Sequence, residues 1–417
     1  MNNTVKTMEK EINTGTQAPE MTATAQAQPQ GKKSKRILAL DVMRGITIAG
    51  MILVNNSGGD GTFTPLSHSD WNGLTPCDLV FPFFMFIMGI STYISLRKFK
   101  FEFSWPLIWK ICRRTALIFL IGMGLAWMSM FFKGAIVEGK SLVEATLCFG
   151  DIRILGVLPR LAICYGVGSL LAIWLNHKWL PAAIAAILVA YALMLLIGNG
   201  YAPDASSILS RADRALLTDA HMYYTHIGSV KIPIDPEGVL STLPSIAHVM
   251  IGFWCGMLLL GTSDNRERVL KLMLVGTVLT FLGLLFSYGF PINKKVWSPT
   301  FVLTTCGMAA STLALLIWVI DIKGWSRWSR FFEVYGVNPL FLYCVAWVIA
   351  IFMGLKCFPD AAAKTGFYSL KNLIYYYVTL PTLQVPGIAA LVYALTFVLV
   401  VWLIGLPLYK RRIYIKI

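Results

Sequence analysis

The sequence predicts an all-α fold: a polytopic integral membrane helical bundle of about ten transmembrane helices. Composition gives the first indication. Of the 417 residues, 56% are hydrophobic and 14% are charged, with a mean hydropathy of +0.65, whereas soluble domains are about one quarter charged. Apolar runs of about 20 residues recur along the chain, and a helix of that length crosses a hydrocarbon core of about 30 Å.

Ten segments have the length and composition of membrane spans, and the Lys and Arg residues orient them. Basic residues collect in short loops such as 97–100 and 410–412, as the positive-inside rule predicts for cytoplasmic loops. We therefore expect both termini to be cytoplasmic, which ten spans require. The same bias accounts for the net charge of +15, so we expect no nucleic-acid partner. The expected spans are 37–56, 78–96, 112–132, 154–175, 179–198, 239–261, 269–289, 299–321, 333–354 and 387–409.

Residues 1–36 differ in character from the rest of the chain. They are rich in Thr, Ala, Gln, Glu and Pro and contain no apolar run, so we predict a disordered cytoplasmic tail and no signal peptide. Residues 37–417 are predicted to form a single transmembrane domain. The eight cysteines are scattered singly without zinc-like spacing, and we expect neither a metal site nor a disulfide framework.

Three spans carry helix-start signals, and all three starts lie on the expected non-cytoplasmic side. Thr75-Pro76 followed by Asp78 matches a capping residue, a first-turn proline and an acid at the third position. Asp235-Pro236-Glu237 and Ser298-Pro299 follow the same rules before the sixth and eighth spans. The longest loops, 57–77, 199–238 and 355–386, are on that side too. Because long loops are often functional, we expect the substrate acceptor to bind there.

The segment HSDWNGLTPCD, residues 68–78, is the most informative part of the chain. It brings His68 together with Asp70, Trp71, Asn72 and Asp78 directly before a hydrophobic helix. Polar side chains are rare near a bilayer unless they are used there. An imidazole exchanges protons near neutral pH and is suited to general base catalysis. The alternative is a loop histidine packed on Trp71, and composition alone does not separate the two interpretations.

The neighbouring polar residues have ordinary explanations as well. For Asp78, spacing alone favours a helix-capping acid. Asn55 ends the first span and Asn72 lies in the following loop, where amides commonly cap or stabilise turns. A catalytic function for Asn55 and Asp78 therefore needs support beyond spacing.

Several basic and polar residues could contact an anionic cofactor. Arg44 lies inside the first span, three residues after Asp41 and on the same helical face. Charges at that depth pair or line a cavity, so an ion pair and an anion pocket are both open. Asn338-Pro339 interrupts the ninth span, and such breaks are tolerated where they line a cavity. The residues expected to contact a cofactor are Arg44, Arg160, Arg113, Arg114 and Asn338.

The segment from Asn293 to Ser298 offers amide, ammonium and indole groups before the eighth span. That combination suits sugar recognition, although tryptophan is also a common interfacial anchor. The residues expected to bind substrate are Trp71, Asn72, Glu237, Asn293, Lys294 and Trp297.

The other four histidines are less informative. His177, His221 and His226 are interpreted as surface residues. His248 lies inside the sixth span, where it is either functional or hydrogen-bonded to a neighbouring helix.

Six ordered blocks resemble the heparan-α-glucosaminide N-acetyltransferase family, and the likeness covers about residues 36–417. The blocks are RILALDVMRGITIAGMILVN, SHSDWNGLTPCDLVFPFFMFIMG, RILGVLPRLAICY, DPEGVLSTLPSI, PINKKVWSPTFV and GVNPLFLY. The resemblance implies transfer of acetyl from acetyl-CoA to an amino sugar across a membrane. It maps the family's catalytic histidine to His68, and it implies catalytic roles for Asn55 and Asp78.

The resemblance implies a route for the reaction. Acetyl-CoA enters from the cytoplasm, and His68 accepts the proton of a glucosamine-type amine or is itself acetylated. Asn55 donates to the oxyanion, and Asp78 either orients His68 or holds the ammonium form of the acceptor. The acceptor is a free amino sugar or a glycan end, and no metal is expected.

Two other function classes remain open from the sequence. One is an amino-sugar permease, since ten spans with intramembrane charges also suit a transporter. The other is an O-acyltransferase acting on a cell-surface glycan. We expect an integral protein of the bacterial cytoplasmic membrane, in contact with the lipid bilayer, and a homodimer is a possible assembly.

Overall fold

The computed structural model describes residues 37–59, 61–360, 363 and 366–415. The predicted tail, residues 1–36, lies outside them. Helices dominate this part of the chain, and the strands are limited to two short antiparallel hairpins, β1 (Thr225–Ile227) with β2 (Val230–Ile232) and β3 (Lys356–Pro359) with β4 (Phe367–Ser369). The all-α fold class is confirmed.

Nine of the described helices are long and apolar enough to cross a membrane, and a bent pair brings the number to the predicted ten if it is counted as one span. The protein is therefore an all-α polytopic membrane protein. These helices are α1 (Leu38–Asn55), α2 (Pro76–Arg97), α3 (Trp105–Phe132), α5 (Val157–Trp174), α6 (Leu180–Ile197), α8 (Thr242–Leu260), α9 (Asn265–Phe286), α10 (Pro299–Leu316), the pair α11 (Arg330–Val337) and α12 (Pro339–Gly354), and α15 (Pro386–Lys410).

Shorter elements connect the spans. Four short helices lie between them: α4 (Leu142–Thr146), α7 (Ile208–Leu217), α13 (Leu370–Leu373) and α14 (Leu380–Leu383). The 3-10 turns are Thr64–Leu66, Cys148–Asp151 and His177–Trp179, and the π-helical turns are Lys133–Val137, Ile317–Ile322 and Ile374–Thr379. Because successive spans alternate in direction, the longer connections collect at one end of the bundle, here called the loop end. The loop end comprises the described residues of 56–75, 133–156, 198–241, 287–298 and 355–385.

The start of α3 differs from its predicted position. The prediction began the third span at residue 112, but α3 begins at Trp105, after Ser104 and with a proline in its first turn. Arg113 and Arg114 consequently lie about 12 Å along the helix at 1.5 Å per residue, rather than at its start. The prediction missed the helix start because it counted apolar length and not the proline signal.

The predicted break at Asn338 is confirmed. Helices α11 and α12 meet there at an angle of 88°. Proline at the first position of α12 has no amide hydrogen to continue the preceding helix, and Asn338 itself takes a non-helical conformation with φ −128° and ψ 58°. The ninth span is therefore two helices with different directions.

The centre of the bundle is built around α8. Of its apolar stretch, 72% is buried inside the protein, against 6% for α3 and 17% for α9. Helix α8 packs closely against α2 because glycines remove side chains at the crossing. A Cβ atom on Gly252 would collide with the carbonyl oxygen of Phe86, and one on Gly89 would collide with that of Val249. This close approach is typical of membrane helix pairs.

Replacing Gly252 by leucine is expected to destabilise the protein by about 1–3 kcal/mol through overpacking. The matched control is Gly124→Leu on α3, where a Cβ would meet nothing within 4 Å. The measurement is thermal unfolding of the detergent-solubilised protein. Equal midpoints for the two variants would contradict the close α2–α8 contact.

Residues 198–241 of the loop end, here called the 198–241 cap, contain a buried acid on α7. Asp213 is fully buried, and its Oδ1 accepts a 2.8 Å hydrogen bond from the backbone amide of Val239. Its Oδ2 has no hydrogen-bond partner and lies against Gly238. Burial raises the pKa of Asp213 from its ordinary value to about 7, because ionising a desolvated carboxyl is costly.

We expect Asp213→Asn to stabilise the protein more at alkaline than at acidic pH. The raised pKa means that the folded state holds the proton more tightly than the unfolded state, so stability falls as pH rises from about 4 to about 7 and is then constant. Asparagine does not titrate, and its amide oxygen can still accept from Val239. The gain in melting temperature over the unmodified protein should therefore grow across this pH range. A gain that is the same at all pH values would refute the assignment.

Candidate active site

Asp78 joins the start of α2 to the preceding loop. Thr75 and Asp78 form the predicted capping box, and Asp78 Oδ2 accepts from the backbone amides of Thr75 (3.2 Å) and Ser69 (3.1 Å) and from the Thr75 hydroxyl (3.0 Å). Its other oxygen, Oδ1, lies 2.7 Å from His68 Nδ1. The helix-capping interpretation of Asp78 is therefore correct, and the same carboxylate also contacts the histidine.

The pairing defines which nitrogen of His68 is free to react. A carboxylate only accepts hydrogen bonds, so the 2.7 Å contact implies that Nδ1–H donates to Asp78. The Nε2 lone pair is then available as a base, with Cys77 Sγ 3.7 Å from it. The His68 side chain is 47% exposed while that of Asp78 is 0% exposed. A buried acid that orients a half-exposed imidazole is the arrangement used in general base catalysis.

Two further side chains contact this pair. Lys294 Nζ lies 3.1 Å from Asp78 Oδ1 and 3.1 Å from His68 Nδ1. Cys77, the residue before Asp78, places its buried Sγ 3.2 Å from His68 Nδ1. Sequence reasoning assigned Lys294 to substrate and gave Cys77 no role. The position of Cys77 beside Asp78 was the only sequence signal, and none linked Lys294 to His68.

Hydrogen bonds join the two loops that carry His68 and Lys294. The Asn293 amide donates to Asn72 Oδ1 (3.0 Å), and the Gly73 amide donates to the carbonyl of Ile292 (2.8 Å). Of the residues expected to bind substrate, Asn72, Asn293 and Lys294 are thus brought close to His68. Asn72 is exposed and remains accessible, whereas Asn293 is buried.

The two tryptophans expected to bind substrate have structural contacts. The Trp71 indole donates to the carbonyl of Tyr201 at 3.0 Å and ties its loop to the 198–241 cap. Trp297 is fully buried, with Phe81 edge-on at 5.5 Å between ring centroids and the guanidinium of Arg160 5.1 Å from its ring centroid. Trp297 is therefore enclosed by protein, and its ring packs beneath the turn formed by residues 293–298.

Arg160, expected at a cofactor, is also fully buried. Its Nη2 donates to Ser241 Oγ and, at 3.2 Å, to the carbonyl of Gly238. Its Nε and Nη1 atoms have no hydrogen-bond partner. The structure therefore places Arg160 under the 198–241 cap, away from the short turns at the opposite end of the bundle.

Glu237, expected to contact substrate, belongs to an ion cluster in the cap. Arg153 Nη2 donates to Glu237 Oε2 at 2.6 Å, and Arg153 Nε donates to Asp235 at 3.0 Å. Burial opposes ionisation, but the charges of Arg153 and Arg160 hold the pKa of Glu237 below its ordinary value. The Asp235-Pro236-Glu237 signal does not start the sixth span, since α8 begins at Thr242. These carboxylates bind Arg153 instead.

Asn55, the third expected catalytic residue, lines a different space from His68. It ends α1 at a cavity of about 500 Å³ between α1, α3 and α12. Tyr343 and Trp347 line this cavity and are joined by a 2.8 Å hydrogen bond from the indole to the phenol oxygen. His68 is not among the lining residues. The structure therefore brings His68 and Asp78 together but leaves Asn55 at a neighbouring cavity.

The other residues expected at a cofactor are spread over the bundle. Arg44 donates to Asp41 at 3.0 Å, as its spacing predicts, and to Ser91 at 2.8 Å. Arg113 is exposed, and Arg114 packs its guanidinium 4.6 Å from the ring centroid of Tyr165. The Asn338 amide binds the backbone of the C-terminal segment, donating to Ile413 and accepting from Ile415, both at 2.8 Å.

The remaining histidine inside a span is hydrogen-bonded to a neighbouring helix. His248 Nε2 donates to the carbonyl of Pro82 on α2 at 2.9 Å. Among the described residues, no group of three or more His, Cys, Asp or Glu side chains is arranged to hold a metal ion.

Comparisons with known proteins place these residues in a family. A sequence model of the heparan-α-glucosaminide N-acetyltransferase catalytic domain matches residues 36–289. The mouse heparan-α-glucosaminide N-acetyltransferase is 28% identical over 394 residues, covering 82% of this chain and 58% of the mouse protein. The human protein of the same name is 29% identical over 367 residues, covering 74% of this chain and 52% of the human protein.

The chain thus spans little more than half the length of these relatives. The matched segment includes Asn55, His68 and Asp78 and ends five residues before Lys294. Since the family model covers more than half of the chain, the chain belongs to the heparan-α-glucosaminide N-acetyltransferase family.

Proposed function

We propose that this protein is a membrane N-acetyltransferase that moves acetyl from acetyl-CoA to the amine of a glucosamine-type sugar. The observation that carries the proposal is the His68–Asp78 pair, in which a buried carboxylate holds Nδ1–H and leaves Nε2 at an exposed surface. The names of the mouse and human relatives describe this reaction on a glucosaminide. The acceptor is a free amino sugar or a glycan end.

The chemistry requires a base because the neutral amine nitrogen becomes positively charged as it attacks and must then lose a proton. His68 Nε2 accepts the proton of the amine as its nitrogen attacks the thioester carbonyl carbon. The buried charge of Asp78 stabilises the imidazolium that forms. The C–S bond then breaks, and the imidazolium returns its proton to the departing CoA thiolate. In the alternative order, His68 first accepts the acetyl group from acetyl-CoA and then passes it to the amine.

The donor is proposed to reach the site along α1. Ile48 and Met51 of α1 face Leu340 and Tyr343 of α12 across a gap of about 10 Å³. Met51 and Tyr343 also line the 500 Å³ cavity at Asn55. This series of lining residues extends about 10 Å along α1, from Ile48 to Asn55, at 1.5 Å per residue. The gap is too narrow for a pantetheine arm as it stands, so α12 must move when the donor enters.

The remaining assignments follow from this route. Arg44 lies about one turn before Ile48 on α1 and is the proposed contact for the donor, although Asp41 and Ser91 already bind it. Arg160 and Asn338 bind protein groups away from this route. Asn55 is proposed to donate to the thioester oxygen. The acetyl donor and the amine acceptor must therefore meet in the space between the Asn55 cavity and His68. Both termini are proposed to be cytoplasmic, with the loop end on the opposite side of a bacterial cytoplasmic membrane.

His68→Ala is expected to lower acetyl transfer at least about 100-fold, because a general base contributes about 10²–10⁴-fold to rate. The assay is transfer of radiolabelled acetyl from acetyl-CoA to glucosamine by detergent-solubilised protein. The matched control is His226→Ala, an exposed loop histidine on β1, which should retain full activity. Retained turnover in the His68 variant would contradict the proposed role, and no transfer by the unmodified protein would favour a permease.

Asp78→Asn is expected to lower kcat by at least about tenfold, because the amide keeps the shape of the carboxylate but no longer stabilises an imidazolium. Asp70→Asn is the control, since Asp70 is an exposed aspartate of the same loop. Melting temperatures of both variants separate this loss from weakening of the α2 cap. Equal kcat values for the two variants would argue against Asp78 as the partner of His68.

A further inference from the structure

Lys294 occupies a position that a substrate-binding role does not explain. Its ammonium nitrogen lies 3.1 Å from Asp78 Oδ1 and 3.1 Å from His68 Nδ1, and its side chain is 16% exposed. It lies beyond the segment that the catalytic family model matches. An ammonium already held between a buried carboxylate and an imidazole is poorly placed to bind a sugar.

The loop that carries Lys294 is held rigidly. The Asn293 side-chain oxygen accepts from the backbone amides of Lys295 (2.8 Å) and Val296 (3.1 Å), which forms a tight turn around Lys294. The amide of Trp297 closes the turn on the carbonyl of Lys294 at 3.1 Å, and Trp297 adopts a left-handed conformation with φ 51°. The buried indole of Trp297 holds its own backbone in this strained conformation. Lys294 is thus directed at Asp78 by its own loop.

The charges around His68 come from three elements. Helix α2 contributes Cys77 and the buried Asp78, and the turn at 293–298 contributes Lys294 and Lys295. Asp70 is exposed on the loop that carries His68 itself. The ammonium of Lys295 donates instead to the carbonyl oxygen of His226 at 3.3 Å. Lys294 is therefore the cation in direct contact with both members of the pair.

We infer that Lys294 is a positioning residue that keeps the imidazole of His68 neutral, so that it can accept the proton of the acceptor amine. This inference rests on the proposed function of the same site. Asp78 alone would favour an imidazolium, since an opposite charge within hydrogen-bond distance stabilises the charged form. The ammonium of Lys294 offsets part of the effect of that carboxylate and repels a proton on the ring. Asp78 can then orient Nδ1–H without trapping the base in its protonated form.

The test measures protonation of His68 directly and does not depend on acetyl transfer. Diethyl pyrocarbonate modifies neutral imidazole, and mass spectrometry of the peptide that contains His68 gives the rate at each pH. Lys294→Gln should move the midpoint of this rate about one unit to higher pH, so that modification below the midpoint is about tenfold slower than in the unmodified protein. The acid limb of kcat/KM against pH should move in the same direction, with activity recovering at alkaline pH.

Two variants serve as controls. Lys295→Gln removes a neighbouring charge that is bonded elsewhere and should leave the midpoint unchanged. Lys294→Arg keeps the cation and should behave like the unmodified protein, which separates charge from side-chain shape. An unchanged midpoint in Lys294→Gln, or an equal shift in Lys295→Gln, would overturn the inference, as would a change confined to KM for the sugar. If the unmodified protein transferred no acetyl group, the proposed function would be contradicted. The pH profile of His68 modification would still test the role of Lys294.

Discussion

The carboxylate of Asp78 is the interaction on which the site depends. One oxygen accepts three hydrogen bonds from Ser69 and Thr75, which satisfy amides at the start of α2 and in the preceding loop, and the other binds His68. Free amides at a helix start need acceptors, and an acid in the first turn also interacts favourably with the helix dipole. The orientation of the imidazole is therefore fixed by the same contacts that begin a membrane helix. A displacement of α2 would displace the base.

The packing beneath Asp78 explains how α2 is held in place. Phe81, one turn further along, packs edge-on against the buried Trp297, which joins α2 to the turn that carries Lys294. The carbonyl of Pro82 accepts a 2.9 Å hydrogen bond from His248 on α8. Below that level, Gly89 and Gly252 allow α2 and α8 to approach closely. His248 is thus a structural residue of the α2–α8 contact, and Trp297 supports the site without reaching its surface.

The sequence predicted those features that depend on local rules. The capping box at Thr75, the break at Asn338 and the Asp41–Arg44 pair follow from spacing within one or two turns, and the spans follow from continuous apolar runs. The misassigned features depend on residues far apart in the chain. Lys294 and Asp78 are 216 residues apart, and the Glu237 partner Arg153 is 84 residues away. Local patterns identify which side chains are polar at a membrane boundary, but not which of them form ion pairs or hydrogen bonds with each other.

The separation of Asn55 from His68 limits how the reaction can proceed. The two residues are at the ends of neighbouring elements, yet Asn55 faces the cavity bounded by α12 while His68 contacts Asp78 and Lys294. In the proposed mechanism, a thioester held at Asn55 and an amine deprotonated at His68 must meet between them, so neither substrate alone completes the site. Helix α12 bounds the cavity on one side and is joined to α11 through an 88° bend at Asn338. A change in that bend would alter the width of the donor path without disturbing the Asp78 contacts, because α12 does not carry any residue of the His68–Asp78–Lys294 cluster.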